Sequence, residues 1–374
     1  MPGFLQPQHA FKYCGCLGLI LGGPLAFHLA LRQGLSPPIE VSLIVVAVGV
    51  LLATPLTVKV FTGRDGFVFY RDVICIFVAL ALTLRWLHQP VLPYLDVTIA
   101  GAGLFHAWGR IGCFLAGCCY GRPCRLGIRY TRAHAEMGFP LQLTGVRLFP
   151  IQAVESAWIL FLATAATWIM TIRHSVPGSA FATYVAGYAI GRFFFEFARG
   201  DADRPYFRGF SQPQWISLLL TLGLSLLGPA GFPRHSIWLF APFVLLAVST
   251  ALVALARKFQ KTPRFELLHP RHIAEIAELL RRTASPPQPA RPPLCTPLRQ
   301  PAIKVKRTSL GVRISAGEIA HDGVTFSHYC LSKEGKPLSP KGVNLLAREI
   351  SLLQHEGAPY LPVPGKNDVI HLLF

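Results

Sequence analysis

Two clusters of residues in this chain have types and spacings that suit chemistry. The first is Gly109-Arg110-Ile111-Gly112-Cys113-Phe114-Leu115-Ala116-Gly117-Cys118-Cys119-Tyr120-Gly121-Arg122-Pro123. It closes an apolar segment that is otherwise fit to cross a bilayer. An arginine at membrane depth is expensive and is a functional-site candidate by default. The second is Tyr184, Tyr188, Arg192 and Glu196, which recur every four residues and so form one stripe on a helix. A guanidinium keeps its charge and matches a phosphate through two parallel hydrogen bonds. Two of them at membrane depth, Arg110 and Arg192, therefore point to an anionic lipid headgroup as ligand. The plainer alternative for the stripe is an Arg–Glu pair that neutralises itself, with tyrosines at the membrane interface.

Neighbouring polar groups belong to the same picture. His106 lies one turn before Arg110 on the same helix face. Gln152 and Glu155 share a face near the start of another apolar segment, where Glu155 is placed to pair with an arginine. Tyr70-Arg71-Asp72 opens a third. Adjacent residues on a helix do not face each other, so Arg71 and Asp72 are expected to find partners on other segments or to reach the interface. Tyr13 falls where an interfacial aromatic is the default.

The elements that carry these residues are apolar runs long enough to span a bilayer: Phe11–Leu31, Val41–Val58, Phe67–Leu84, Val97–Ala116, Pro150–Ile172, Ala180–Ala198 and Ile237–Ala256. Trp215–Leu227 is a shorter eighth. The expected fold is an all-α polytopic membrane protein with 7–8 transmembrane helices and a small C-terminal α+β extension. Residues 1–256 form the transmembrane part. Residues 257–302 form a basic helix and a proline-rich linker, with Ser285–Pro301 the stiff stretch. Residues 303–374 form a small α+β domain in which Gly311–Ile319 and Val324–Leu331 read as a hairpin around Asp322-Gly323. Ser339-Pro340 then caps a helix through Gln354, and Val369–Phe374 is a last strand.

Composition agrees. Half of the chain is apolar, and 36 Lys+Arg stand against 18 Asp+Glu. That balance suits anionic lipid surfaces. No nucleic-acid-binding motif accompanies the charge, so a nucleic-acid partner is not expected. Nine cysteines are too few for a disulfide framework in a chain of this length. Cys113, Cys118, Cys119 and Cys124 do not follow a zinc-ribbon or ferredoxin spacing; no metal and no cofactor is expected, with a cysteine-based metal or redox membrane protein kept as an alternative.

The two clusters together resemble the prolipoprotein diacylglyceryl transferases. The motifs are Gly109-Arg110-Ile111-Gly112 … Gly117 … Gly121-Arg122-Pro123 and Tyr188 through Asp201. Pro150-Ile151-Gln152-Ala153-Val154-Glu155 is similar to the family's His-Pro-x-Gln-x-x-Glu, with Phe149 at the histidine. Gln214-Trp215-Ile216-Ser217 resembles the Gly-Gln-x-x-Ser that opens its last span, without the glycine. The resemblance covers roughly the first 230 residues. It implies transfer of the diacylglyceryl group of phosphatidylglycerol to the signal-box cysteine of a prolipoprotein, recognised through its signal peptide, in the bacterial cytoplasmic (inner) membrane. It implies catalytic roles for Arg110, Arg192 and Tyr70, and substrate contacts for Tyr13, Tyr188, Gly109, Gly121, Gln152, Glu155, Cys113 and Cys118. The family commonly has Asn and Glu where this chain has Cys113 and Cys118, and a histidine where it has Tyr70. An unperturbed tyrosine is protonated at neutral pH and donates a hydrogen bond more readily than it accepts a proton. A phospholipid-binding or transport paralogue that lacks the reaction is the second alternative.

Overall fold

The computed structural model describes residues 7–63, 69–172, 176–227, 237–259, 264–284, 305–321, 324–335 and 337–374. The proline-rich linker and the Asp322-Gly323 turn lie outside them. Contacts divide the chain into two compact units that are discontinuous in sequence. The first comprises Met1–Ala116, Ile151–Phe197 and Arg204–Ala251; the second comprises Gly117–Pro150, Ala198–Asp203 and Leu252–Phe374.

The first unit is helical. It contains α1 (Pro7–Arg32), α2 (Pro37–Thr62), α3 (Phe69–Trp86), α4 (Val91–Ala116), α6 (Ile151–Thr171), α7 (Ser179–Phe195), the short strands β3 (Tyr206–Phe207) and β4 (Phe210–Ser211), α8 (Gln212–Leu227) and most of α9 (Ile237–Lys258). Five of the described helices, α1, α2, α4, α6 and α9, are long and apolar enough to cross a membrane. The helix α3 runs 18 residues, α7 17 and α8 16. Local sequence sets the helix ends. Ser36 precedes a Pro-Pro start to α2, and Gly63 closes it at φ 66°, its N–H donating to the Lys59 carbonyl at 2.9 Å; the fixed φ of proline suits the first turn and a left-handed glycine the last. Pro24, Pro55 and Pro242 lie inside helices, as membrane helices tolerate.

Apolar side chains gain little by meeting one another in lipid, so close packing and polar links hold such helices together. Both are present. The helices α1 and α4 approach at Gly22 and Gly101, where a Cβ on Gly101 would stand 2.5 Å from the Gly22 carbonyl oxygen. Ser156 on α6 donates to the Ala107 carbonyl on α4 at 2.8 Å, and Trp158 Nε1 donates to the Gly187 carbonyl on α7 at 3.1 Å. Asp96 on α4 accepts from the backbone N–H groups of Gly178 (2.5 Å) and Phe181 (2.7 Å). It thereby satisfies the open amides at the start of α7. Gln214 caps α8 by accepting from Ser211 N at 2.9 Å and donates to the Phe193 carbonyl at 3.2 Å. Arg71 Nε also donates to the adjacent Asp72 Oδ1 at 2.7 Å, with Asp72 buried and Arg71 about a third exposed. The long arginine side chain folds back along the helix, which a count of helical spacing does not allow for.

The second unit is α+β. A five-stranded antiparallel sheet runs β5-β6-β7-β9-β8, built from Lys306–Arg307, Val312–His321, Val324–Lys333, Ile370–Leu373 and Leu361–Pro364. The helices α10 (Arg264–Leu267), α11 (Pro270–Ala284) and α12 (Pro340–Gln354) contribute Leu267, Ile276, Leu280, Leu346 and Ile350 to its core, and α5 (Arg132–Ala135) is a single turn of the same unit. Ser339 Oγ accepts from Gly342 N at 3.2 Å, the helix cap that the sequence predicts. The segment after α4 joins this core. Its short pair β1 (Pro123–Arg129) and β2 (Arg147–Leu148), with Tyr120, Tyr130, Phe139 and Leu143, packs in one cluster with Val312, Leu331 and Leu372. Each such side chain, fully buried from water, contributes about 1.5–3 kcal/mol. Glu356 pairs with both Arg129 and Arg147 within the same unit. Burial raises the carboxyl of Glu349 to about 7, against the opposing pull of Arg122 and Arg348.

Candidate functional site

The helical unit holds a buried chain of ion pairs. Arg110 on α4 meets Glu155 on α6 at 2.6 Å. The other oxygen of Glu155 lies 3.8 Å from Arg192 on α7. Arg192 meets Glu196, one turn further on, at 2.7 Å. The second oxygen of Glu196 takes Arg204, which also donates to the Tyr206 hydroxyl at 3.0 Å. Each of the five side chains is at most a tenth exposed. Three guanidinium groups thus share two carboxylates along this chain. The Arg–Glu pair considered from sequence is present, but it is one link of a longer network. Buried carboxylates hold the arginine forks in place, and forks so fixed suit an anion.

A layer of aromatic and hydroxyl groups adjoins the arginines. Tyr70 on α3 is buried, with its hydroxyl 2.9 Å from Ser217 Oγ on α8 and its ring 6.0 Å from that of Tyr188. The His106 ring lies edge-on to Tyr188 at 5.1 Å, and the Tyr184 hydroxyl is 3.5 Å from His106 Nδ1. The stripe read from the sequence, Tyr184, Tyr188, Arg192 and Glu196, is buried along its whole length. Gln152 is buried in the first turn of α6, three residues before Glu155.

The other expected site residues are distributed between the units. Cys113 Sγ on α4 accepts from Arg110 Nη1 at 3.5 Å, so a thiol takes part in holding that guanidinium. Gly109 borders open space, whereas Tyr13 on α1 is 46% exposed. Gly121 and the half-buried Cys118 belong to the α+β unit. There the two signature motifs meet: Gly121 pairs with Arg199, Arg122 N donates to the Ala198 carbonyl at 3.0 Å, and Gly200 N donates to the Tyr120 carbonyl at 2.9 Å. A Cβ on Gly121 would run into the backbone of Phe149, so glycine is required there for close approach of main chains. Arg199 forms a bidentate pair with Asp201 at 2.8–2.9 Å. Sequence reasoning missed Arg204 and the helix-capping role of Asp96. No periodicity connects Arg204 to Glu196, because a loop returns it.

A multi-pass helical membrane protein with a buried arginine–glutamate site is the class that this arrangement defines. The comparisons give the family. The chain matches the prolipoprotein diacylglyceryl transferase family over residues 11–228 and belongs to it. It is 32% identical over 215 residues to the phosphatidylglycerol–prolipoprotein diacylglyceryl transferase of Clostridium tetani, spanning 56% of this chain and 76% of that one. It is 34% identical over 162 residues to the second such enzyme of Clostridium perfringens, spanning 42% and 60%. It is also 34% identical over 139 residues to the second such enzyme of Streptomyces coelicolor, spanning 36% and 43%. No solved structure matches.

Proposed function

We propose that this chain transfers the diacylglyceryl group of phosphatidylglycerol to a prolipoprotein cysteine, as the names of its relatives say of them. The observation that carries the reading is the buried chain Arg110–Glu155–Arg192–Glu196–Arg204. A phosphodiester headgroup carries one negative charge and accepts paired hydrogen bonds from guanidinium forks such as those the network holds. In the reaction the cysteine sulfur, as thiolate, attacks the glyceryl carbon. The carbon–oxygen bond to phosphate breaks, and its electron pair leaves with glycerol phosphate. The thiol proton ends on that phosphate monoester or in water. Negative charge therefore grows on the phosphate as the bond breaks, and guanidinium groups already fixed by carboxylates meet it without reorganising.

Arg110 and Arg192 hold the phosphate. Tyr188 and Tyr13 position the lipid, and Tyr70, held by Ser217, donates a hydrogen bond in place of the histidine of the family pattern. Glu155, Gln152 and Cys113 order the arginines, while Gly109, Gly121 and Cys118 shape the surroundings. The protein works with 7–8 spans in the cytoplasmic membrane of a bacterium, on the signal peptide of its acceptor. The test is complementation of a bacterial strain depleted of its own transferase. Restored growth with lipidated lipoproteins supports turnover. Lipid binding without any release of glycerol phosphate would leave a binding paralogue instead.

A further inference from the structure

We propose that the C-terminal sheet carries a transition-metal site, formed by His328, Cys330 and His371 and suited to a borderline-soft divalent ion of the zinc class. His328 and Cys330 alternate on β7, so their side chains leave the same face. His371 stands directly across from Cys330 on β9. Register therefore brings two imidazoles and a thiol to one spot. Their donor atoms all lie within 4.8 Å of one another. His328 Nε2 is 2.8 Å from His371 Nδ1, and Cys330 Sγ is 3.4 Å from His371 Nδ1 and 3.6 Å from His328 Nε2. The two rings lie nearly parallel, 5.0 Å apart.

These separations can be set against a tetrahedral ion. Bond lengths of about 2.0–2.1 Å to nitrogen and about 2.3 Å to sulfur imply donor separations of about 3.4 Å between nitrogens and about 3.5 Å between sulfur and nitrogen. Both sulfur–nitrogen edges already match. The nitrogen–nitrogen edge has to open by about half an ångström, within reach of a small rotation of either ring. All three groups are half-buried, on the face of the sheet opposite Leu331 and Leu372, which point into the core. Across β6 the opposing residues are the small Ser315, facing Cys330, and Gly317, facing His328. Three protein ligands leave the fourth position to water or to an added ligand. A thiolate and two neutral imidazoles favour Zn²⁺ over Mg²⁺ or Ca²⁺, which seek oxygen. A hydrogen-bonded histidine pair beside an inert thiol is the competing reading.

The site lies beyond the residues of the family match and does not depend on the transferase reading. The test uses the full-length chain in detergent, loaded with Zn²⁺ and then desalted. The proposal expects one equivalent of zinc to be lost, with an affinity drop beyond the roughly 10–100-fold typical of an outer partner, in both Cys330→Ser and His371→Ala. The control Cys75→Ser, an exposed thiol on α3, retains it. Co²⁺ in place of zinc gives a thiolate-to-metal charge-transfer band that Cys330→Ser abolishes. On the unmutated chain, added Zn²⁺ slows alkylation of Cys330, and a chelator restores the rate. Zinc content equal in the parent, Cys330→Ser and His371→Ala, or alkylation of Cys330 indifferent to Zn²⁺, overturns the proposal.

Discussion

Arg204 adds a third guanidinium to the buried network. It pairs with Glu196, whose other oxygen holds Arg192 at 2.7 Å. In Arg204→Ala, Arg110 and Arg192 remain on Glu155 and Glu196, and the network loses one positive charge. A phosphate held at Arg192 would be one carboxylate removed from the Arg204 guanidinium, a range on the order of 8 Å for two successive ion-pair contacts of up to about 4 Å. At an effective dielectric of about 20, unit charges at that range interact by about 2 kcal/mol, or ~30-fold in affinity. The expected result is a KM for phosphatidylglycerol raised about tenfold to a hundredfold, with a smaller fall in kcat. Arg204→Lys keeps the charge and loses the fork to Glu196 and Tyr206, so it recovers most of the KM. Glu196 keeps Arg192 as a partner in either variant, which limits the loss of stability below the ~3–5 kcal/mol of a carboxylate stranded alone. The assay is lipidation of a model prolipoprotein over a range of lipid concentration in mixed micelles. Equal KM values for Arg204→Ala and the parent would refute the charge argument. So would a lysine variant no better than the alanine one, because shape rather than charge would then be at work.

Further consequences follow from packing and titration. Gly101→Ala puts a methyl group 2.5 Å from the Gly22 carbonyl oxygen and 2.9 Å from Ala26 Cβ. It should cost about 1–3 kcal/mol and lower the melting temperature in detergent, while Gly109→Ala, at a position bordering open space, should melt like the parent. In Glu349, burial raises the carboxyl from 4.5 to about 7. A group whose pKa rises on folding contributes its full share below the unfolded value and loses it as pH climbs through the folded one. Glu349→Gln, which mimics the protonated acid, should therefore match the parent near pH 4.5 and exceed it in stability above pH 7. Proteolysis or hydrogen exchange of the α+β unit across that range would read the difference, and a constant gap at all pH values would contradict it.

Much of the helical unit was legible because its signals are local. Apolar runs announce the helices, and a four-residue period announced the buried stripe from Tyr184 to Glu196. The cap at Ser339 and the hairpin strands were likewise readable from turn and cap chemistry. What escaped depends on contacts distant in sequence. Arg204 reaches Glu196 by a loop return, and Asp96 caps a helix whose first residue comes more than 80 positions later. The strand β8 contains Pro362 and Pro364, which argue against a strand by composition; it lies at the sheet edge, where proline is tolerated. The arginine-rich stretch 120–148 carries no local signal of where it packs. Its apolar residues, Tyr130, Phe139 and Leu143, found their partners in the C-terminal extension. The trio on β7 and β9 was hidden for the same reason: His-x-Cys acquires meaning only when register sets His371 opposite.

The central claim is that Arg110 and Arg192 meet the phosphate of the lipid as it departs. Its most direct test is release of glycerol phosphate by the purified chain with phosphatidylglycerol and a model prolipoprotein, compared among the parent, Arg110→Ala and Arg192→Ala. Loss of one such preorganised donor typically costs about 10²–10³ in rate, so each variant should fall by at least about a hundredfold while the protein remains folded. Release within a few-fold of the parent in both folded variants would contradict the account.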